Sequence, residues 1–254
     1  MEMLNERRTK LGIVKSELLK AAGSFAWISI LVSLGLVATP AQEPDAAAVI
    51  RSVDAAVQAR DDNVLGFTDI EHYVVYRGQD ETHPAAELTV KDTYRKGVGK
   101  TYDIQSKSGS SIILHFGLEP LLDNERVINE PAHLPASWFD SANYDMKPQM
   151  GATVQQNGRN CVVVPVTARR KASNTIDGTI WVDAKDGTLV QIQGVATASA
   201  SAFTGTTTMM RQYVNVNGFA MATHARAETT STLLGRTVVL IDYSNYQLQL
   251  KAGK

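Results

Sequence analysis

The chain has 254 residues, of which 44% are hydrophobic and 20% charged, and its formal net charge at pH 7 is −1. This near-neutral balance gives no electrostatic basis for binding a polyanion, so we expect no nucleic-acid partner. The single cysteine, Cys161, cannot form an intramolecular disulfide. We interpret it as a buried structural thiol, in a protein whose stability depends on its core.

The N-terminus has the order of a secretory signal. Basic residues between Arg7 and Lys20 precede an uncharged run over 21–42, whose apolar centre covers 25–37. This centre is short for a membrane-spanning helix, and cleavage after Ala41 is the favoured interpretation. Retention as an N-terminal anchor is the alternative. We therefore expect a signal peptide or anchor over residues 1–41 and a single domain over residues 42–254.

The domain begins with one helical pattern and continues with strand patterns. Asp45 is a candidate N-cap for an apolar stripe that recurs at helical spacing up to Asp62. From Gly66 onward, short runs of β-branched and aromatic residues predict about eleven strands, one of them at 110–116. Turn dipeptides at 157–158, 177–178, 186–187 and 217–218 predict antiparallel hairpins. So many strands predict a curved antiparallel sheet, as a barrel, a part-barrel or two layers.

An insertion over about 117–150 interrupts the strand pattern and holds four of the eight prolines. Pro120 and Pro135 suit the first turn of short helices, each with one apolar side. Such helices would cover one side of the sheet, either as a moving lid or as a fixed plug. The sequence favours neither alternative over the other.

The motifs that resemble catalytic or cofactor sites are incomplete. The segment 97–101, Gly-Val-Gly-Lys-Thr, mimics a P-loop but has Tyr94 where the pattern needs glycine, so we interpret its glycines as a hairpin turn. The five histidines are scattered and predict no metal site. The acidic residues of the insertion are interpreted as a solvated face: Glu119, Asp123, Glu125 and Glu130. We expect no catalytic residues, no cofactor and no enzyme activity.

Several local sequences resemble one family. They are Gly-Thr-Ile-Trp-Val-Asp at 178–183 followed by Asp-Gly at 186–187, Arg-Gln-Tyr at 211–213 leading to Val-Asn-Gly-Phe at 216–219, and Ile-Asp-Tyr-Ser-Asn-Tyr at 241–246. Together with the order of helix, strands, insertion and further strands, they look like the LolA/LolB-type outer-membrane lipoprotein-sorting proteins. The resemblance covers roughly residues 45–249.

The resemblance implies an unclosed β-barrel of about eleven strands with a helical lid, located in the periplasm. It implies that lipoprotein acyl chains or lipid are held in an apolar cavity and carried towards the outer membrane. An inner-membrane donor and an outer-membrane acceptor would be its partners, and the chain would be a monomer. In typical carriers an arginine latches the lid, and both Arg77 and Arg95 are possible counterparts here.

We expect apolar and aromatic side chains of the insertion and the sheet to line this cavity. The candidates are Leu121, Leu122, Trp138, Phe139, Trp181, Tyr213 and Phe219. Two other functions stay open. One is an envelope sensor or scaffold that binds a protein or lipid signal with the same fold, and the other is an enzyme whose site is assembled from distant residues.

Overall fold

The computed structural model describes residues 45–198, 205–231 and 235–252, so the predicted signal or anchor over 1–41 lies outside the described residues. Helix α1 (Ala46–Asn63) opens the described part, and the Asp45 carboxylate accepts a hydrogen bond from the backbone N–H of Ala48, as a cap does. Its apolar stripe buries Val49 and Val53. In the part of the chain that the structure describes, no helix has the length and apolar character needed to cross a membrane.

Eleven antiparallel strands follow, in one sheet that stays open. They are β1 (Val64–Arg77), β2 (Ala86–Arg95), β3 (Gly99–Gly109), β4 (Tyr144–Met146), β5 (Val154–Gln156), β6 (Arg159–Ala168), β7 (Ile176–Asp183), β8 (Leu189–Ala196), β9 (Thr207–Val216), β10 (Phe219–Ser231) and β11 (Gly235–Leu250). The strand order is β3-β2-β1-β11-β10-β9-β8-β7-β6-β4, with β5 paired to β6. The predicted fold, an unclosed antiparallel barrel with an N-terminal helix, is confirmed.

Helix α1 and the helical residues 114–122 of the insertion pack on the same face of the sheet, which we call the inner face. Residues that pair across antiparallel strands share a face. The pairs connect one row across nine strands: Lys107, Leu88, Tyr73, Ile241, Ala225, Arg211, Ile192, Ile180 and Val164. Helix α1 packs at one end of this row, where its Val49 and Val53 form a cluster with Ile192, Ile180 and Val164.

The insertion differs from the prediction at its start. The predicted strand over 110–116 is wrong, because Ser111–Ile113 begins a helix that continues through a π-helical turn (Leu114–Leu118) into Glu119–Ile128. The Ser110 hydroxyl caps this helix by accepting a hydrogen bond from the Ile113 N–H. We call residues 111–128 the covering helix. The strand count nevertheless agrees, because the short strand β4 lies inside the predicted insertion.

Local predictions based on proline, glycine and cysteine can be checked individually. Pro120 and Pro135 do lie in the first turn of helical segments, the second being a 3₁₀ turn at Leu134–Ser137. Three of the four turn dipeptides form turns. The prediction at 177–178 is wrong, since both residues lie in β7, where a Cβ on Gly178 would clash with the Gln193 carbonyl oxygen. Cys161 is fully buried, as expected.

Candidate functional site

Strand β1 carries a charged layer on its inner face, between two apolar layers. Alternation along the strand places Phe67, Asp69, Glu71, Tyr73 and Val75 on one side of the sheet. Tyr73 and Val75 belong to the apolar cluster beneath the covering helix, and Phe67 belongs to a separate apolar cluster at the other end. The two carboxylates are 2% and 0% exposed. A buried charge is expensive unless it is paired, so this layer is the principal candidate for a functional site.

A third buried carboxylate, Asp92 of β2, pairs in register with Asp69. We call Asp69, Glu71 and Asp92 the acidic cluster. Lys100 of β3 enters it: its Nζ donates to Glu71 Oε1 at 2.9 Å and lies 2.9 Å from Asp92 Oδ2. The Tyr73 hydroxyl also donates to Glu71. One ammonium group therefore serves two carboxylates.

The covering helix contributes a fourth carboxylate, Glu125. Its Oε2 accepts a hydrogen bond from the Tyr102 hydroxyl at 3.0 Å and lies 3.6 Å from Lys100 Nζ. Its Oε1 lies 4.0 Å from Arg211 Nη2 of β9, and the Arg211 guanidinium stands over the Tyr243 ring at 5.9 Å. These contacts join the helix to strands on both sides of the inner face. We call the contacts of Glu125 with Lys100, Tyr102 and Arg211 the latch.

The acidic cluster is incompletely satisfied. Among the described residues, neither oxygen of Asp69 or of Asp92 accepts a hydrogen bond of good geometry, although Lys100 lies close to Asp92 and the Tyr246 hydroxyl lies near enough to Asp69 to lower its pKa. Burial, followed by repulsion from Glu71, raises the pKa of Asp69 to about 8, against the attraction of Lys100. Burial likewise raises the pKa of both Glu71 and Asp92. Asp69 is thus the carboxyl group with the weakest support for its negative charge.

The latch has the opposite electrostatic character. Burial disfavours both charged partners, but Glu71 and Glu125 outweigh it and hold the pKa of Lys100 well above its usual value. For Glu125, burial alone would raise the pKa, but attraction to Lys100 and Arg211 lowers it. The latch is therefore an ionic contact, whereas Asp69 favours a proton or another cation.

The segment that mimics a P-loop supplies the lysine of this site. Gly97 and Gly99 have φ values of +80° and +109° and form the turn between β2 and β3, which confirms the hairpin prediction. No helix follows Lys100, which continues into β3. Its ammonium is held by carboxylates, so the segment has no phosphate-binding geometry.

The prediction for the acidic residues of the insertion is wrong at one position. Glu119, Asp123 and Glu130 have side chains that are 35–64% exposed, as a solvated face requires. The Glu125 side chain is only 16% exposed and turns towards the sheet. Glu125 lies at helical spacing from the buried Leu118 and Leu122, so the signal was its position on their face of the helix.

The seven predicted cavity residues fall in separate places. Leu121 and Leu122 belong to the covering helix and pack against the sheet. Phe139 and Tyr213 pack against the cluster of α1, and Phe219 packs in the cluster of Phe67. Trp181 follows Ile180 in β7 and so faces the opposite side of the sheet from the inner row. Trp138 is half-buried after the 3₁₀ turn. Their role as a common lining stays a prediction.

Two of the scattered histidines come together on the outer face through strand pairing. His72 of β1 and His224 of β10 both pair with Asp242 of β11. His224 Nδ1 lies 2.7 Å from Asp242 Oδ1, while His72 Nε2 lies 3.1 Å from Glu87 Oε2. Each imidazole therefore has its own carboxylate partner.

A concavity among the described residues lies elsewhere, at a bulge between β1 and β11. It has a volume of about 460 Å³, is open to solvent, and is lined by Thr68, Asp69, Ile70, Lys91, Asn245, Tyr246 and Gln247. It is not an apolar chamber beneath the covering helix. There the space is filled by Leu118 and Leu122, which are 1% and 5% exposed.

Comparisons with known proteins give the fold a context. No protein-family model matches the chain, and no curated protein matches it. A solved LolA superfamily protein from Nitrosomonas europaea is 12% identical, with a TM-score of 0.40 over 80% of this chain and 93% of that one. A DUF1329 family protein from Desulfovibrio piger is 14% identical, with a TM-score of 0.39 over 83% and 95% of the two chains.

A third solved structure is a putative outer membrane lipoprotein-sorting protein domain from Vibrio parahaemolyticus. It is 12% identical, with a TM-score of 0.42 over 78% of this chain and 91% of that domain. Two of these three solved structures are described as LolA superfamily or lipoprotein-sorting proteins, which is the family that the sequence motifs resemble. At such identities they concern the fold alone.

Proposed function

We propose that the protein is a periplasmic binding protein that holds an acyl chain of a lipoprotein or lipid between the inner face of the sheet and the covering helix, and carries it towards the outer membrane. The observation that supports this proposal is the way the helix covers the sheet. Leu114, Leu118 and Leu122 lie against an apolar strip of the sheet that includes Leu88 and Val90. An acyl chain offers the same strip equivalent contacts when it displaces the leucines.

The energetics favour such an exchange. Burying an acyl chain contributes about 0.8 kcal/mol per methylene, so a long chain gains more than three leucine side chains supply. The latch is a small set of largely buried ionic contacts at one end of the helix, and the cost of removing both partners from water offsets much of their mutual attraction. The closed helix is therefore stable without ligand and is displaced by a ligand of sufficient apolar length.

The first experiment measures bound lipid directly. Native mass spectrometry of the full-length protein, purified without detergent, is expected to show acyl-chain adducts. Hydrogen exchange should then become faster in residues 111–128 when the delipidated protein is loaded, while exchange in α1 stays unchanged. A protein that purifies without lipid, and whose melting temperature responds to no lipid or lipoprotein, would contradict the proposal.

A matched pair of variants tests the location of the acyl chain. Val90→Thr introduces a hydroxyl of nearly the same size on the inner face beneath the covering helix, where Val90 is 0% exposed. Val98→Thr makes the same change in the β2–β3 turn, where Val98 is 67% exposed. Acyl-chain affinity is expected to fall about tenfold in the first variant, since a buried hydroxyl lacks a partner, and to stay unchanged in the second. Equal affinities in both variants would place the chain elsewhere.

A further inference from the structure

The inner face of the sheet has too few basic groups for its carboxylates. Asp69, Glu71, Asp92 and Glu125 face Lys100 and Arg211 alone in the ion pairs and close contacts of this layer, among the described residues. If all six groups are ionised, two negative charges remain uncompensated in a buried environment. Such an excess requires protons or a further cation, because an isolated buried charge costs several kcal/mol.

Asp69 marks the place where the missing positive charge would act. The residue is 2% exposed, and among the described residues neither of its oxygens accepts a hydrogen bond of good geometry, although the Tyr246 hydroxyl lies near enough to lower its pKa. One oxygen nevertheless lies within 4.8 Å of an oxygen of Glu71 and an oxygen of Asp92. The unpartnered group is thus directed at the two carboxylates that share Lys100. Nearly all buried polar groups of native proteins have a partner, and a bound ion can supply the one that Asp69 lacks.

We propose that Asp69, Glu71 and Asp92 bind one divalent cation, and that Ca²⁺ is the preferred ion. Three carboxylate oxygens are hard ligands, which suit Ca²⁺, Mg²⁺ or Mn²⁺ and not the nitrogen and sulfur preference of Zn²⁺. Ca²⁺ accepts irregular oxygen geometry at about 2.3–2.6 Å, so two of its ligands lie up to about 5 Å apart. Mg²⁺ requires shorter distances and retains more water than a buried cluster accommodates.

The ion would also complete the charge balance of the layer. Two added positive charges, together with Lys100 and Arg211, equal the four carboxylates. Asp69 lines the open concavity at the β1–β11 bulge, so it is the member of the acidic cluster nearest to a solvent-filled space.

Ion binding has a consequence for Lys100. Its Nζ is now divided among Glu71 and Asp92, both at 2.9 Å, and Glu125 at 3.6 Å. When the ion takes the first two carboxylates, Glu125 becomes the principal partner of Lys100. Ca²⁺ therefore strengthens the latch and slows exchange in the covering helix. This last step does not depend on what the protein carries.

The test uses the full-length protein after treatment with EDTA and buffer exchange. Titration with CaCl₂ at neutral pH is expected to give saturable heat with one ion per chain and to raise the melting temperature. Tb³⁺ provides a second readout, because Tyr73 and Tyr102 donate to Glu71 and Glu125 and are close enough to sensitise its luminescence. Ca²⁺ should reverse that luminescence by competition.

Two asparagine variants decide the assignment. Asp69→Asn replaces one carboxylate by a neutral amide of the same shape, so the variant is expected to fold, while calcium affinity and the Tb³⁺ signal should fall at least tenfold because an amide oxygen is a weaker ligand than a carboxylate. Asp103→Asn removes an exposed carboxylate of β3 and should behave as the wild type. The proposal is overturned if the wild type shows no saturable response to Ca²⁺, Mg²⁺ or Mn²⁺, which would mean that protons balance the charge. It is equally overturned if the calcium affinity of Asp69→Asn equals that of the wild type.

Discussion

Lys100 Nζ of β3 lies 3.6 Å from Glu125 Oε2, across the boundary between the sheet and the covering helix. Glu125→Gln retains an acceptor for the Tyr102 hydroxyl but removes the charge that faces Lys100 and Arg211. We expect the free energy of unfolding to fall by about 1–2 kcal/mol. Hydrogen exchange in residues 119–128 should become faster, which mass spectrometry of peptides from this segment would measure. Asp123→Asn, on an exposed position of the same helix whose carboxylate contacts Arg126 of that helix, is the control and should leave exchange unchanged.

Lys100 supports more than the latch. Its side chain is 9% exposed and lies at 2.9 Å from both Glu71 and Asp92, so Lys100→Met leaves two buried carboxylates without a counter-charge. In the metal-free protein this substitution should cost about 3–5 kcal/mol. Lys107→Met, on a residue whose side chain is 53% exposed in the same strand, should change stability by less than about 0.5 kcal/mol. Urea denaturation of both variants measures the difference, and similar midpoints would show that Lys100 does not stabilise the cluster.

Gly97, in the turn before β3, and Gly109, at the end of β3, should differ in how well they tolerate substitution by alanine. Gly97 has φ +80° and open space where a Cβ would lie, so Gly97→Ala carries only backbone strain of about 1 kcal/mol. Gly109 has φ +87°, and an added Cβ would lie 2.5 Å from the Ala85 carbonyl oxygen. Gly109→Ala should therefore destabilise the protein by about 3 kcal/mol or more. Thermal denaturation of the two variants gives the comparison, and equal losses would contradict the close approach of Ala85.

A second ionic network, formed by Glu81, Arg226 and Arg236, predicts that the stability of the protein depends on pH in the acidic range. Glu81 accepts hydrogen bonds from Arg226 at 2.7 Å and from Arg236 at 2.6 Å, and these bonds lower its pKa from 4.5 to about 2. A depressed pKa contributes stability that is complete above the unfolded value and is lost as the pH falls through the folded value. The wild type should thus exceed Glu81→Gln in stability at neutral pH and lose this advantage between pH 4.5 and about 2.

Urea midpoints over this range measure the effect in both proteins. Glu130→Gln removes a carboxylate whose contact with His133 is exposed, and its difference from the wild type should be small at every pH. A constant gap between the wild type and Glu81→Gln down to the lowest pH would show that the network does not depend on the ionisation of Glu81.

The architecture could be predicted from the sequence because the spacing of apolar residues and the identity of cap and turn residues are local properties. The strand patterns after Gly66 and the Asp45 cap required no knowledge of distant partners. The segment 110–116 was mispredicted for the same reason. Its Ile-Ile-Leu run satisfies a strand, and the covering helix forms because Leu114 and Leu118 are buried against β1 and β2.

The charged layer could not be predicted from local pattern. In β1, Asp69 and Glu71 alternate with the apolar Ile70. Alternation around these three residues alone therefore predicts that Ile70 faces the core and that the two carboxylates face solvent. In the structure the carboxylates face the core instead, because Phe67, Tyr73 and Val75 lie on the same side of the strand and are buried in apolar clusters. Lys100, Asp92 and Glu125 then complete the layer from three other elements. The sequence contains no short-range signal for that convergence.

The pairing of β1 with β11 makes folding depend on the last strand. Val64–Arg77 is the third strand from one edge of the sheet, and its neighbour on one side is the strand that ends at Leu250. The 157 residues 78–234 separate the two strands, so a large loop must close before they pair. In the strand order, β11 joins two groups of strands, β3-β2-β1 on one side and β10 to β4 on the other. Burial of the charged layer of β1 therefore depends on pairing with a strand from the far end of the described chain.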